Sequence, residues 1–221
     1  MTDGRLLRGE ATREKVLDAA ERCFAATSFD AVSIRQIAAE ARVTLGVVGF
    51  HAGSKQDLIR TVIARRVDVL NNARRAGLRA MKEAGAPDLH ALMDAYISPY
   101  VELSSAGDRQ WRAYGALIAR MSNDNRFQKT VSALYDPVAG EYLDEMALLF
   151  PAASRRDLAG ALTLTVASML AIVASRARIA GLWGGRAEPS PASWRRFLVD
   201  FCAGGVEAAL SAPPPPIIPR R

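Results

Sequence analysis

Histidine and cysteine are almost missing: 221 residues carry two of each. Helical bundles can host di-metal carboxylate chemistry, but His51 and His90 make up the whole histidine supply. Neither belongs to a Glu-x-x-His pair, which leaves such a site without ligands. Also lacking are Gly-x-Ser-x-Gly, His-Glu-x-x-His, the phosphate-binding Gly-x-x-x-x-Gly-Lys and Cys-x-x-Cys. The sequence therefore offers no catalytic residue, metal site or cofactor motif, and an enzyme is not expected. Cys23 and Cys202 each sit in a stretch of helical periodicity and read as buried thiols rather than a disulfide, which suits a reducing cytoplasm.

Long apolar runs are scarce too. The opening MTDGRLLRGEATREK has no signal-peptide core, and the longest apolar run is interrupted by Ser168, Ser175 and Arg176 before it reaches the span of a bilayer. The expectation is a soluble, cytoplasmic protein with no membrane partner. Alternation of apolar and polar residues is likewise absent; almost every segment past the first turns has a period near 3.6, which predicts an all-α fold. What is plentiful is ordinary: half the residues are hydrophobic and 24% are charged, enough to bury a sizeable core in one large or two small domains. A net charge of +6 and a pI near 9.7 tilt the choice of partner towards a polyanion such as nucleic acid.

Three helices are predicted at the start, at about 12–28, 33–41 and 44–51. Thr12 is placed to N-cap the first, whose apolar stripe is Val16, Ala19, Ala20, Cys23 and Phe24. Ser33 with Gln36 has the capping-box pattern for the second, and Thr44 stands at the N-cap of the third. Ser54 can cap a long fourth helix from Lys55 to about Glu83, whose Arg65, Arg66, Arg74, Arg75, Arg79 and Lys82 read as a solvated basic face. More helices are expected near 88–103, 108–121, 126–150, 154–182 and 192–211, two of them kinked or divided by Pro99 and Pro137. The tail APPPPIIPRR reads as extended and disordered, so the expected division is 1–54, 55–211 and 212–221.

Short second and third helices parted by a tight turn are what a helix-turn-helix requires, the second bracing against DNA and the third entering the major groove. A chance hairpin in a larger bundle has the same spacing. From Thr12 to about Leu58, however, the chain resembles the N-terminal domain of TetR (tetracycline repressor) family transcriptional regulators. The carrying residues are TREKVLDAA followed by Phe24, Phe29 and Ala31 ahead of Ser33, the IRQIA core, Val43 with Thr44, Gly46, and the exit His51 with GSK at Gly53 to Lys55. The resemblance implies an N-terminal three-helix DNA-binding domain and a larger helical-bundle domain for ligand binding and dimerisation. It further implies a ligand-responsive homodimer on a pseudo-palindromic operator of double-stranded DNA, with repression the family-based expectation.

By that resemblance Ser33, Thr44, His51 and Lys55 are phosphate contacts. Helix capping is the other reading of Ser33 and Thr44, and a structural hydrogen bond that of His51. The sequence departs from the family pattern at Arg42, where the turn usually has Gly, and at Leu45, where a polar residue is usual. It departs again at Gly49, in place of an aromatic that contacts phosphate, and at Ala52, in place of Phe. Leu45, Val47, Gly49 and Phe50 bring almost no donors to base edges, so bidentate readout is not expected. Leu45 or Val47 can press on a thymine methyl, Gly46 and Gly49 allow close backbone approach, and specificity then rests on DNA shape and Arg42. Residues 1–60 hold nine basic against eight acidic side chains, hardly a basic domain, with Arg5 and Arg8 expected on a flexible arm able to enter the minor groove. The rival reading is a TetR-like helical protein with a degenerate reading helix, serving as a partner- or ligand-binding module without specific DNA binding.

Further along, Met93, Tyr96 and Tyr100 share one predicted helix face, and Trp111, Tyr114 and Met121 another, with Phe127 beyond. Core is the first reading of this spacing; a pocket wall for a small, largely apolar or aromatic ligand is the second. No buried charge cluster is evident to dictate an ionic ligand. The small-residue segment within 158–182 and the stripe Trp194, Phe197, Leu198, Phe201 and Val206 within 192–211 suit a homodimer interface, or else an intrachain bundle.

Overall fold

A computed structural model describes residues 3–211 other than 86, 107, 123 and 186–189. The Pro-rich tail at 212–221, expected to be disordered, lies outside the described residues. Among the described residues there are eleven helices and no strand, which is the all-α fold that the periodicity predicts.

Helix α1 spans Asp3–Ala26 and begins well before Thr12. The expected cap at Thr12 is therefore wrong: its hydroxyl instead donates to the Arg8 carbonyl one turn back, 2.8 Å away, the way threonine is accommodated inside a helix. Leu, Arg, Glu and Lys in this stretch are strong helix formers and carry the helix past Gly4 and Gly9. Arg5 and Arg8 consequently belong to α1 rather than to a flexible arm. The helix buries Val16, Leu17, Ala19, Ala20 and Phe24, and α2 (Ile34–Ala41), α4 (Lys55–Ala64) and α7 (Arg109–Met121) pack on it.

The single long helix expected from Lys55 to Glu83 is two: α4 ends at Ala64 and α5 spans Val67–Glu83. No Pro or Gly marks the break. It falls where Arg65 reaches Glu14 and Asp18 and where Arg66 Nε reaches Glu21 at 2.9 Å, all on α1. The expected helix at 154–182 also divides, into α9 (Arg155–Ala174) and α10 (Arg176–Trp183), at Ser175. Pro99 and Pro137, by contrast, divide nothing: α6 (Leu89–Ala106) and α8 (Gln128–Leu149) run through them, each forgoing one backbone bond.

Helix α6 is the centre of the larger half, packed by α5, α7, α9 and α11 (Pro191–Ser211). It approaches α7 closely at Gly115, where an added Cβ would lie 2.7 Å from the Ser104 Cβ. Helix α9 corrects one expectation. Ser168 does not interrupt it, because its hydroxyl bonds the Leu164 carbonyl at 2.9 Å, and the helix is long and apolar enough to cross a membrane by length and composition alone.

Candidate DNA interface and ligand cavity

The reading head is built by α2, a turn, and α3 (Leu45–Ala52). Ser33 caps α2 in a full capping box: its hydroxyl accepts from the Gln36 amide at 3.1 Å while the Gln36 side chain accepts from the Ser33 amide at 2.7 Å. Arg42 then closes the helix in the left-handed region, φ 55° and ψ 45°, the one non-Gly residue at positive φ among those described. Thr44 holds the N-cap position of α3, yet its hydroxyl makes no cap bond, unlike Ser33 and Ser54. The capping expected of Thr44 is thus not realised by its side chain, which leaves the first amides of α3 without a side-chain cap.

Helix α3 is pinned by Val48, fully buried against the head's core, with Val47 partly packed beside it. Its other face is open. Leu45 and Phe50 are 51% and 85% exposed, and nothing stands within 4 Å of a Cβ built on Gly46 or Gly49. His51 is half-buried with its ring edge-on to Phe50 at 5.0 Å, and it has no hydrogen-bond partner among the described residues. Lys55, half-buried at the start of α4, sets its ammonium 4.4 Å from the Phe29 ring centroid and 3.4 Å from the Asp30 carbonyl. Of the ten residues named for DNA, Leu45, Gly46, Gly49 and Phe50 share the open face of α3. Arg42 and Thr44 border it, Ser33 lies at the start of α2, Val47 is turned inward, and Lys55 is engaged with Phe29.

A polar chain ties this head to the larger half. Glu21, fully buried on α1, accepts from Arg66 Nε and, at 3.1 Å, from Gln110 Nε2 of α7. Gln110 in turn accepts from Arg22 at 2.6 Å, and Arg22 pairs with Glu40 of α2 at 2.7 Å. Burial pushes the Glu21 carboxyl above its ordinary value against the pull of the bond from Arg66. A second brace runs through Phe127, edge-on to Phe29 at 5.2 Å, and Arg126, paired with Asp30 at 2.7 Å.

The larger half holds a cavity of about 430 Å³ between α5, α6, α8 and α9. Leu70, Tyr96, Ile118, Leu162, Val166 and Met169 give it an apolar wall; Tyr100, Ser122, Gln128, Tyr135 and Thr163 add polar atoms, and Arg74 enters it from α5. Of the seven residues named for a ligand, Tyr96 and Tyr100 line this cavity. Met93, Trp111, Tyr114, Met121 and Phe127 do not: Trp111 lies under the Arg66 guanidinium at the junction, Tyr114 donates to the Ile63 carbonyl at 2.8 Å, and Met93 and Met121 fill core. Burial raises the hydroxyl of Tyr100 well above its ordinary value and that of Tyr135 to about 12, so both stay neutral donors.

The lining residue that sequence reasoning misses is chiefly Arg74. Arg74 was placed on a solvated face, but it is 2% exposed, and it falls in the stripe Val67, Leu70, Arg74, Leu78 and Met81 that α5 buries. An arginine in register with an apolar stripe was the available signal. Arg65, Arg66 and Arg75 also leave the solvated face, each pairing with a carboxylate.

A helix-turn-helix joined to a larger helical half that holds a cavity is the architecture of a helix-turn-helix transcriptional regulator. The chain belongs to the TetR family: residues 16–62 match the family described as "Bacterial regulatory proteins, tetR family", and residues 94–205 match "Tetracyclin repressor-like, C-terminal domain". No curated protein matches the chain. Among solved structures it is similar to the fatty acid degradation regulator FadR from Bacillus halodurans, at 16% identity over 88% of this chain and 95% of that one with a TM-score of 0.61. It is similar to a tetR-family transcriptional regulator from Streptomyces coelicolor, at 17% identity over 93% and 90% with a TM-score of 0.54. RolR, solved in complex with resorcinol, aligns at 17% identity over 96% and 100% with a TM-score of 0.50. At these identities the likeness is one of fold.

Proposed function

We propose that this protein is a cytoplasmic, homodimeric, ligand-responsive repressor that reads a pseudo-palindromic operator with α3 and is released when a small molecule occupies the chamber. The observation that carries this reading is the open face of α3, which exposes Leu45, Phe50 and two glycines on a helix anchored by Val48. Such a face suits close backbone approach and apolar contact with thymine methyls, while Thr44 with the free amides of α3 suits a phosphate. Dimerisation is supported by Leu164 on α9 with Phe197 and Phe201 on α11, which are 69%, 56% and 61% exposed. An apolar surface of this kind favours a covering partner, and a second copy gives the two half-sites of a palindrome. Phe201→Arg is expected to yield monomers in sedimentation and to lose DNA retention together with them; a dimer that persists would move the interface elsewhere.

The direct test is selection of genomic fragments by the purified protein at physiological salt. Recovery of one short pseudo-palindrome supports the repressor reading. The rival, a bundle with a degenerate reading helix, draws on Lys55 being committed to Phe29 and on the nearly neutral head. It predicts retention no better than background and weak association that fades with salt.

A further inference from the structure

We propose that the chamber is built for an anion, and that its ligand is a small apolar or aromatic carboxylic acid whose carboxylate pairs with Arg74. This rests on reading the larger half as a ligand receptor. Arg74 is 2% exposed, and its side chain borders the cavity. Its Nε–H donates to the Tyr96 carbonyl at 3.0 Å, its Nη2 approaches the Met169 sulfur at 3.8 Å, and the guanidinium lies 4.0 Å from the Tyr96 ring centroid. None of these is an anion, and no carboxylate lies within ion-pair distance of Arg74 among the described residues. Nη1 has no acceptor there either. The neighbouring Arg65, Arg66 and Arg75 are each paired with a carboxylate although all are less buried.

Arg74 therefore presents to the cavity a planar guanidinium that no carboxylate of the described residues answers. Aspartate 136 also lines the cavity, but at its exposed margin and without reaching Arg74. A ligand carboxylate entering the cavity meets the two Nη groups, which together offer the forked geometry a carboxylate fills. The apolar wall receives the rest of the molecule, and neutral tyrosine hydroxyls at Tyr100 and Tyr135 repel no anion. The volume of about 430 Å³ suits an acid of one or two rings or a medium acyl chain. The sequence-level expectation of an apolar ligand is thereby narrowed to an apolar acid.

The experiment is calorimetric titration of the full-length protein with benzoate, 4-phenylbutyrate, 2-naphthoate and decanoate, each beside its own primary amide. At least one acid is expected to bind ten-fold or more tightly than its amide. Arg74→Met, which keeps the stem, should erase that preference by weakening the acid and leaving or improving the amide; Arg74→Lys should restore part of it. Amides that bind the wild-type protein as well as their acids overturn the anion site while leaving the receptor reading intact. If no acid or amide binds, and the neutral fluorophore Nile red gives no emission rise either, both readings fall. Because the acid-to-amide comparison is made on the wild-type protein, a variant that does not fold leaves the proposal exposed to refutation.

Discussion

Arg42 sets a backbone cost against an electrostatic gain. A residue with a Cβ held at φ 55° is strained by about 1 kcal/mol or more, and glycine would adopt the same conformation freely. The side chain, however, lies in the turn before α3 and brings a cation beside the face proposed to read DNA. Arg42→Gly is therefore expected to raise urea stability by about 1 kcal/mol while weakening retention on DNA, and Arg42→Ala to weaken retention without that gain. Stability that does not rise in Arg42→Gly would place the strain elsewhere. At this scale the sequence was legible where a residue acts on its own neighbours, as Ser33 and Ser54 do in their capping boxes. It was not legible where the partner is remote: Lys55 turns to Phe29, and Trp111 and Phe127 serve the junction rather than the cavity, because their partners are supplied by tertiary packing.

Between elements, two contacts around α6 make separate predictions. Asp94 of α6 receives Arg195 of α11, with Nε at 2.7 Å, and the bond from Arg195 holds the carboxyl below its ordinary value, helped by the Ser98 hydroxyl and opposed by burial. The sign follows from linkage. A folded value below the unfolded one means that the folded state binds fewer protons, so the stabilisation is complete above the unfolded value, near 4, and is lost as pH falls through the folded one. With the two side chains 32% and 41% exposed, screening limits the effect to about 1 kcal/mol. Asp94→Asn should lower the melting temperature at pH 7 and shrink the further fall between pH 5 and pH 2; an unchanged acid profile would remove this pair from the account. The second contact is steric. Gly115→Ala drives a methyl group into Ser104, which costs about 1–3 kcal/mol by overpacking, and Ser104→Gly in the same chain should recover most of it in a double-mutant cycle. The places of the helices were largely readable from periodicity, whereas the early start of α1 and the breaks at Arg65 and Ser175 were not. The first coincides with ion pairs to α1, some 45 residues back in sequence, and no local signal announces it.

Across the whole molecule, the two halves are joined by a polar network in which Gln110 of α7 bonds both Glu21 and Arg22 of α1, and Arg22 goes on to Glu40 of α2. Ile118, on the same helix as Gln110, borders the cavity, so in the ligand response we propose, a shift of α7 would reach this junction as well. Glu21 is its least replaceable member, since it is fully buried and accepts from both Arg66 and Gln110. Glu21→Ala removes the acceptor and leaves a half-buried guanidinium and an amide facing each other, a loss of about 3–5 kcal/mol. Glu21→Gln keeps an acceptor but not the charge and should cost less, about 1–3 kcal/mol. Trp183 and Trp194 lie in the larger half and Trp111 at its junction with the head, so tryptophan fluorescence follows the larger half and the junction while far-ultraviolet dichroism follows every helix. In the wild-type protein at fixed concentration the two urea transitions should coincide, because α1 packs on both halves. In Glu21→Ala the dichroism should begin to fall first, as the head unfolds ahead of the rest. Coincident transitions with a loss under about 1 kcal/mol would mean that the apolar packing of α1 on α7 joins the halves without this network.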